Sequence, residues 1–268
     1  ALCHLLRSGR IDAAIVVKQG VPEPYEASAI IVETEEEIKA AAQSVYTPVS
    51  TLDVLLKLDP KKRYAITCLS DQAAALRKMQ LQGVESANLI KYLIGPYTGT
   101  ALEPEAIRCL LRSRGVRDKD KITSLKWRQG EWPGYLEMIM ASGKIIRSKK
   151  VYYNFLIPFF VTQASLQSVD FCNEFCDLAI GDAWSPKYEA LGNGFSLIAS
   201  RSAEMSLIIN EMKDAGLLLL EKIQPKKSSE MHGHMLDFKK RGSFIRNHWR
   251  LALGKKAPDY GFMPTYIP

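Results

Sequence analysis

Short apolar runs with β-branched residues alternate along this chain with amphipathic stretches, and Gly and Pro mark most of the joints. Residues 2–8 read as the end of a helix closed by Gly9, residues 11–18 as a strand, and 27–33 as a second strand after a turn containing Pro22 and Pro24. Thr34 with Glu37 has the spacing of a capping box and opens a helix to about Gln43. A short helix over 50–58 ends before Asp59-Pro60. Residues 64–69 form a compact apolar strand, Ser70 or Asp71 caps a helix over 72–81, and 87–94 is the next strand. In such a strand–helix–strand unit, the strand-to-helix turn is where an anionic or electron-rich ligand meets helix amides.

A helix over 103–114 stops at Gly115, and from Ile122 the pattern turns antiparallel. Strands are expected over 124–128, 135–141 and 144–148, with turns at Gln129-Gly130 and Ser142-Gly143. Further strands over 178–183 and 195–201, a helix over 203–214 closed by Gly216, and a last strand over 217–223 lead into a basic segment, helical over 229–242. The expected class is mixed α/β: a mixed sheet with flanking helices, parallel in its N-terminal part, with antiparallel hairpins in its C-terminal part. No repeat, low-complexity tract or Gly/Ser linker appears, so a division into residues 1–83 and 84–268 would be structural rather than flexible.

Composition narrows the class. With 268 residues, 47% of them hydrophobic, the chain can bury a sizeable core. No apolar run approaches the roughly 18 residues of a membrane-spanning helix. Five cysteines, an odd number, argue against a secreted disulfide framework, and no signal peptide precedes Ala1, so a reducing cytoplasm is expected. The opening Ala-Leu-Cys-His-Leu-Leu already has helical spacing and no Met, so the expectation is that the natural N-terminus is missing or processed. Charge is uneven: of the net +7, residues 222–256 carry +8, ten Lys/Arg against two Asp/Glu. That stretch reads as a solvated face, or as a surface for an anionic cofactor or acidic partner. It lacks the interleaved aromatics of a nucleic-acid platform.

Six segments occur in an order and spacing that resemble one family. They are 8–17 (SGRIDAAIVV), 44–50 (SVYTPVS), 75–80 (ALRKMQ), 94–99 (IGPYTG), 127–134 (WRQGEWPG) and 177–184 (DLAIGDAW). Together they are similar to the coenzyme F420 hydrogenase/dehydrogenase beta subunits. The resemblance implies FAD at the centre of the protein, hydride exchange with the 5-deazaflavin coenzyme F420, and a redox partner subunit. It also implies four cysteines for a 4Fe-4S cluster. Counted from the matched flanks, those positions hold Asp71, Thr98, Ser165 and Ser168, so the cluster is expected to be absent, since oxygen ligands replace soft thiolates poorly.

Carried over by position, the expected cofactor-binding residues are Tyr46, Thr47, Pro48, Ser70, Asp71, Gln72, Thr98, Gly99, Arg128, Trp132, Gly134, Gly181 and Asp182. No catalytic residue is assigned, because a flavin ring supplies the chemistry. Arg128 reads either as a phosphate partner or as a partner of Glu131 across its turn. Trp127, Trp132 and Trp184 read as core aromatics or as cofactor stackers. Cys172 and Cys176, four apart, would share a helical face as buried thiols or metal ligands, while Cys3, Cys68 and Cys109 offer no matching pair. His232 and His234 form a weak metal pair without a third ligand, and no metal site is assigned. Lysines and arginines of the basic segment are candidate counter-charges for an anionic tail or an acidic partner. The expected function is an FAD-dependent oxidoreductase passing hydride between flavin and F420 or another two-electron partner. The alternative is a non-catalytic structural or regulatory subunit of a redox complex.

Overall fold

The structure, a computed structural model, describes residues 1–116, 121–149 and 154–261. Its elements are α1 (Leu2–Arg7), β1 (Ala13–Gln19), β2 (Ala27–Val32), α2 (Glu35–Ala40), a 3₁₀ helix (Thr51–Lys57), β3 (Tyr64–Thr67), α3 (Ser70–Leu81), α4 (Glu85–Asn88) and β4 (Ile90–Pro96). They continue with α5 (Glu105–Ser113), β5 (Ile122–Gln129), β6 (Tyr135–Met140), β7 (Ile145–Lys149), α6 (Ile157–Phe160), α7 (Gln163–Gln167), β8 (Leu178–Asp182), α8 (Pro186–Glu189) and β9 (Ser196–Ser200). The last are α9 (Ala203–Asp214), α10 (Pro225–Glu230), α11 (Gly233–Lys239) and α12 (Arg241–Ala252).

Six strands form one sheet in the order β2-β1-β3-β4-β8-β9. β1, β3, β4 and β8 run parallel, and β2 and β9 close the two edges antiparallel. The central strands are apolar throughout because helices cover both faces. Alternation sorts their side chains: Ala14 and Val16 enter one core with Leu5, Ile38, Ile94 and Met205. Ala13 and Ile15 enter the other with Ile66, Leu76 and Leu93. Strands from both sides of residue 83 thus share one sheet. A three-stranded antiparallel sheet, β5-β6-β7, packs over α5 as a third cluster around Trp127, Leu136 and Met138.

The mixed sheet, the parallel β3–α3–β4 unit and the two hairpins meet expectation. The Thr34 capping box is present: Glu37 N donates to Thr34 Oγ1 at 3.3 Å and Thr34 N to Glu37 Oε2 at 3.2 Å. Three elements differ. Residues 217–223 form no strand, because four successive leucines have no alternating face and only Leu218 reaches the core, Leu219 being fully exposed. The strand expected from 87 begins at Ile90, since Gly83 (φ +76°) ends α3 and a short helical turn over Glu85–Asn88 intervenes. The basic segment is helical well past Gly242, to Ala252.

Candidate functional site

β3, β4 and β8 end at Thr67, Pro96 and Asp182 on one edge of the large sheet, the carboxyl edge where open α/β sheets gather ligands. The small sheet reaches this edge through its first hairpin. On β5, Trp127 turns inward, 2% exposed, donates Nε1 to Gln19 Oε1 at 3.1 Å and meets the Tyr46 ring edge-on at 5.4 Å. Its neighbour Arg128 faces the other way. Arg128 Nε donates to Pro133 O at 3.0 Å, and Nη1 donates to both Asp182 oxygens, at 3.2 and 2.9 Å. Its carboxylate partner is therefore Asp182, not Glu131, because the turn carries Glu131 out to solvent. This pair ties the two sheets together across the site, with side chains only 17% and 26% exposed.

A cavity of 250 Å³ opens beside it, lined by Gln43, Ser44, Arg128, Gly130, Trp132, Pro133 and Gly134. Gln43 holds φ +123°, an uncommon backbone for a non-glycine residue. Gly134 sits at φ +80°, where a Cβ would stand 3.1 Å from Arg128 backbone atoms. The Trp132 and Trp184 rings pack 4.6 Å apart, so both are partners in a surface pair rather than core residues like Trp127. Trp132 Nε1 is buried without a hydrogen-bond partner, and so is Thr47 Oγ1. Buried polar groups rarely lack any partner, protein or water.

Residues 46–49 run between the hairpin and α3: Leu102 N donates to Tyr46 O at 3.1 Å, Pro48 is exposed, and Gln72 Nε2 donates to Val49 O at 2.8 Å. Neither Ser70 nor Asp71 caps α3. Both lie inside its first turn, where the Ser70 hydroxyl donates to Asp170 O at 3.0 Å and Asp71 is exposed. Gln72 takes the capping role by accepting from Leu69 N at 2.9 Å.

After β4, Thr98 N donates to Phe171 O at 2.9 Å, and the Thr98 hydroxyl to Pro96 O at 3.1 Å. A Cβ on Gly99 would lie 2.3 Å from Met235 Cε, and one on Gly181 would lie 2.5 Å from the Tyr97 ring. Tyr97, Phe171 and His232 pack together with ring centroids 5.1–5.4 Å apart. His232, 4% exposed, lies against the Asp182 backbone, and its Nε2 is buried without a partner. Burial pushes its imidazole pKa down. His234 is exposed, so the two histidines do not converge.

Two of the four positions aligned with family cysteines, Asp71 and Ser165, interact with a residue that the sequence did not single out. Lys239, 1% exposed, donates Nζ to Ser165 O at 2.8 Å and feels the charges of Asp71 and Asp170. Burial pushes its pKa down to about 8. Ser165 Oγ accepts from Ala101 N and the Thr162 hydroxyl, both at 2.9 Å, while Ser168 Oγ and Asp170 Oδ1 are buried without partners. The signal for Lys239 lay in spacing: Lys239, Ser243 and Asn247 recur every fourth residue, an all-polar stripe that is wholly buried. Within Lys239-Lys240-Arg241, nothing local marks which cation turns inward.

Residues 171–176 form no helix, so Cys172 and Cys176 share no helical face. Cys176 instead meets Cys68, Sγ to Sγ 3.8 Å, and its thiol donates to Asn173 Oδ1 at 3.1 Å. The hydrogen bond with Cys68 and burial push its pKa far up. Among the described residues, no three His, Cys, Asp or Glu side chains stand where they could hold a metal ion. Among them too, no helix is long and apolar enough to cross a membrane.

Comparison with known proteins gives concordant matches. Residues 1–56 match the family model for the coenzyme F420 hydrogenase/dehydrogenase beta subunit N-terminus, and residues 61–226 match that for its C terminus. No curated protein matches the chain. A chain from a structure of the F420-reducing NiFe hydrogenase complex of Methanosarcina barkeri, obtained by xenon derivatization, superposes with a TM-score of 0.69 at 15% identity. The superposition covers 97% of this chain and 87% of that one.

Proposed function

Because the chain belongs to the coenzyme F420 hydrogenase/dehydrogenase beta subunit family, we propose that it is a flavin-dependent oxidoreductase module, binding FAD and passing hydride between flavin and a deazaflavin or other two-electron partner without an iron–sulfur cluster. The single observation that carries the reading is the junction of the two sheets: Arg128, fixed by Asp182, beside a cavity lined by Trp132, whose buried indole N–H has no partner. A bound flavin would supply two-electron chemistry at its ring. Arg128 offers positive charge held in place by its carboxylate, Trp132 offers a donor whose hydrogen bond is unmade, and Gly134 lets backbone approach closely. Thr47 Oγ1, on the neighbouring segment 46–49 and outside the cavity lining, is a second buried group without a partner.

The fit is partial. At 250 Å³ the cavity lies just below the roughly 300 Å³ at which most ligand pockets begin. It suits one ring system, not a whole dinucleotide. On the other side, Met235 fills the space above Gly99. Loss of the cluster is supported by the carboxylate and hydroxyl side chains at the four positions and by the Lys239 ammonium bonded to the backbone of one of them, Ser165. A partner subunit is supported by the multi-subunit hydrogenase complex that the chain resembles.

A second reading, a non-catalytic subunit of a redox complex, is favoured by that filled niche. An absorption spectrum and iron assay of the purified protein separate the readings. Flavin bands without iron are expected. A colourless protein that does not take up added FAD would establish the second reading, and stoichiometric iron would overturn the loss of the cluster.

A further inference from the structure

The sequence beyond residue 226 lies outside the matched family models, yet it covers the carboxyl edge of the sheet. Its attachment is unlike that of the rest of the molecule. None of the three hydrophobic clusters contains a described residue after Leu218. In α11 and α12, the buried side chains are Lys239, Ser243 and Asn247, with Phe244 the one apolar member among the described residues.

The polar stripe has a definite target. Lys239 Nζ donates to Ser165 O at 2.8 Å, Arg246 Nε to Leu166 O at 2.8 Å, Asn247 Nδ2 to Gln167 O at 3.0 Å, and the Ser243 hydroxyl to Ser168 O at 2.7 Å. Tyr260 OH adds a second bond to Gln167 O at 3.0 Å. These four carbonyls close α7 at its C-terminus, where a helix leaves acceptors unsatisfied. The covering segment therefore works as a side-chain cap for another helix. Hydrogen bonds that water can replace contribute little net stability each, whereas buried apolar area cannot be re-solvated cheaply. A unit held mainly by such bonds opens before the core does.

We propose that residues 225–261 form a polar-latched strap that opens as a unit separate from the sheet, and that Met235 is its removable plug, standing in the niche above Gly99 that a ligand of the carboxyl edge enters. Only the identity of the entering ligand rests on the flavin reading. Met suits the plug: it is unbranched and fills irregular gaps without specific geometry.

Hydrogen–deuterium exchange on the full chain tests this. Amides of 233–252 should exchange at least ~100-fold faster than those of β3 and β4, and together. Ser243→Ala, a small truncation that leaves the Ser168 carbonyl uncapped, should speed their exchange a further ~10-fold and leave the sheet unchanged. Added FAD should raise exchange in 233–239, and Met235→Ala should tighten FAD binding about 10-fold by removing the competitor. Protection of 233–252 equal to that of β3 and β4 would overturn the strap. FAD binding that changes neither that exchange nor the affinity of Met235→Ala would overturn the plug. If neither protein binds FAD, the flavin reading fails, while the exchange rates still decide on the strap.

Discussion

Arg128 and Asp182 lie far apart in the chain yet hold the two sheets in register through two hydrogen bonds to one carboxylate. Each is mostly shielded from water, so truncating either leaves a charged group poorly satisfied. Arg128→Ala and Asp182→Ala should each cost about 2 kcal/mol in urea unfolding, and the double variant much less than their sum. FAD retention should fall in both. Gly134→Ala should cost about 2 kcal/mol, since φ +80° and the nearby Arg128 backbone leave no room for a methyl group. Thiol chemistry should follow burial: exposed Cys109 should react first with iodoacetamide, half-buried Cys172 slowly, and Cys68 and Cys176 only on unfolding. The last pair was illegible in the sequence because its members meet across two strand ends, with Asn173 between them.

Among the elements, those with a local physical cause were legible. β1 and β3 announce themselves by β-branched apolar runs, α2 by its capping box, and β5–β7 by alternation around Gly-containing turns. Elements fixed by distant partners were not. The leucines at 217–220 look like a strand, but among the described residues no strand pairs with them. The helices α11 and α12 look like a solvated basic face, but bury their polar stripe.

That burial makes the strap sensitive to pH in two windows. Docked Lys239 has its pKa near 8, lowered mainly by burial and further by Arg246, against opposing charges on Asp71 and Asp170. Released, it returns to about 10.5. The docked state thus holds fewer protons between these values, and docking should strengthen as pH rises from 8 to 10.5, by up to about 3 kcal/mol. The difference in strap exchange between wild type and Lys239→Met across that range measures it. His232 is likewise lowered, chiefly by burial, with the neighbouring His234 lowering it further and Asp182 opposing, while Tyr97 packs on its ring. The released imidazole gains a proton as pH falls through about 6.5, so docking should weaken as pH falls below that value. His232→Phe should flatten that dependence.

On the scale of the whole molecule, stability resides in the two cores on either face of the large sheet. Leu93 is wholly buried in one of them, and Leu93→Ala should cost about 3 kcal/mol, seen as a lower urea midpoint at unchanged slope. The parallel pairing of β4 with β8 has a kinetic consequence. Ile94 pairs with Leu178, and the whole β5–β7 sheet lies in the chain between them. The hairpins can form from neighbouring residues alone, whereas β8 must close a long loop before any contact rewards it. The strand that carries Asp182 is therefore among the last to join. The Arg128–Asp182 tie is therefore made late in folding, and a chain interrupted before that step already has its hairpins and its first strands, but not the carboxylate that fixes Arg128.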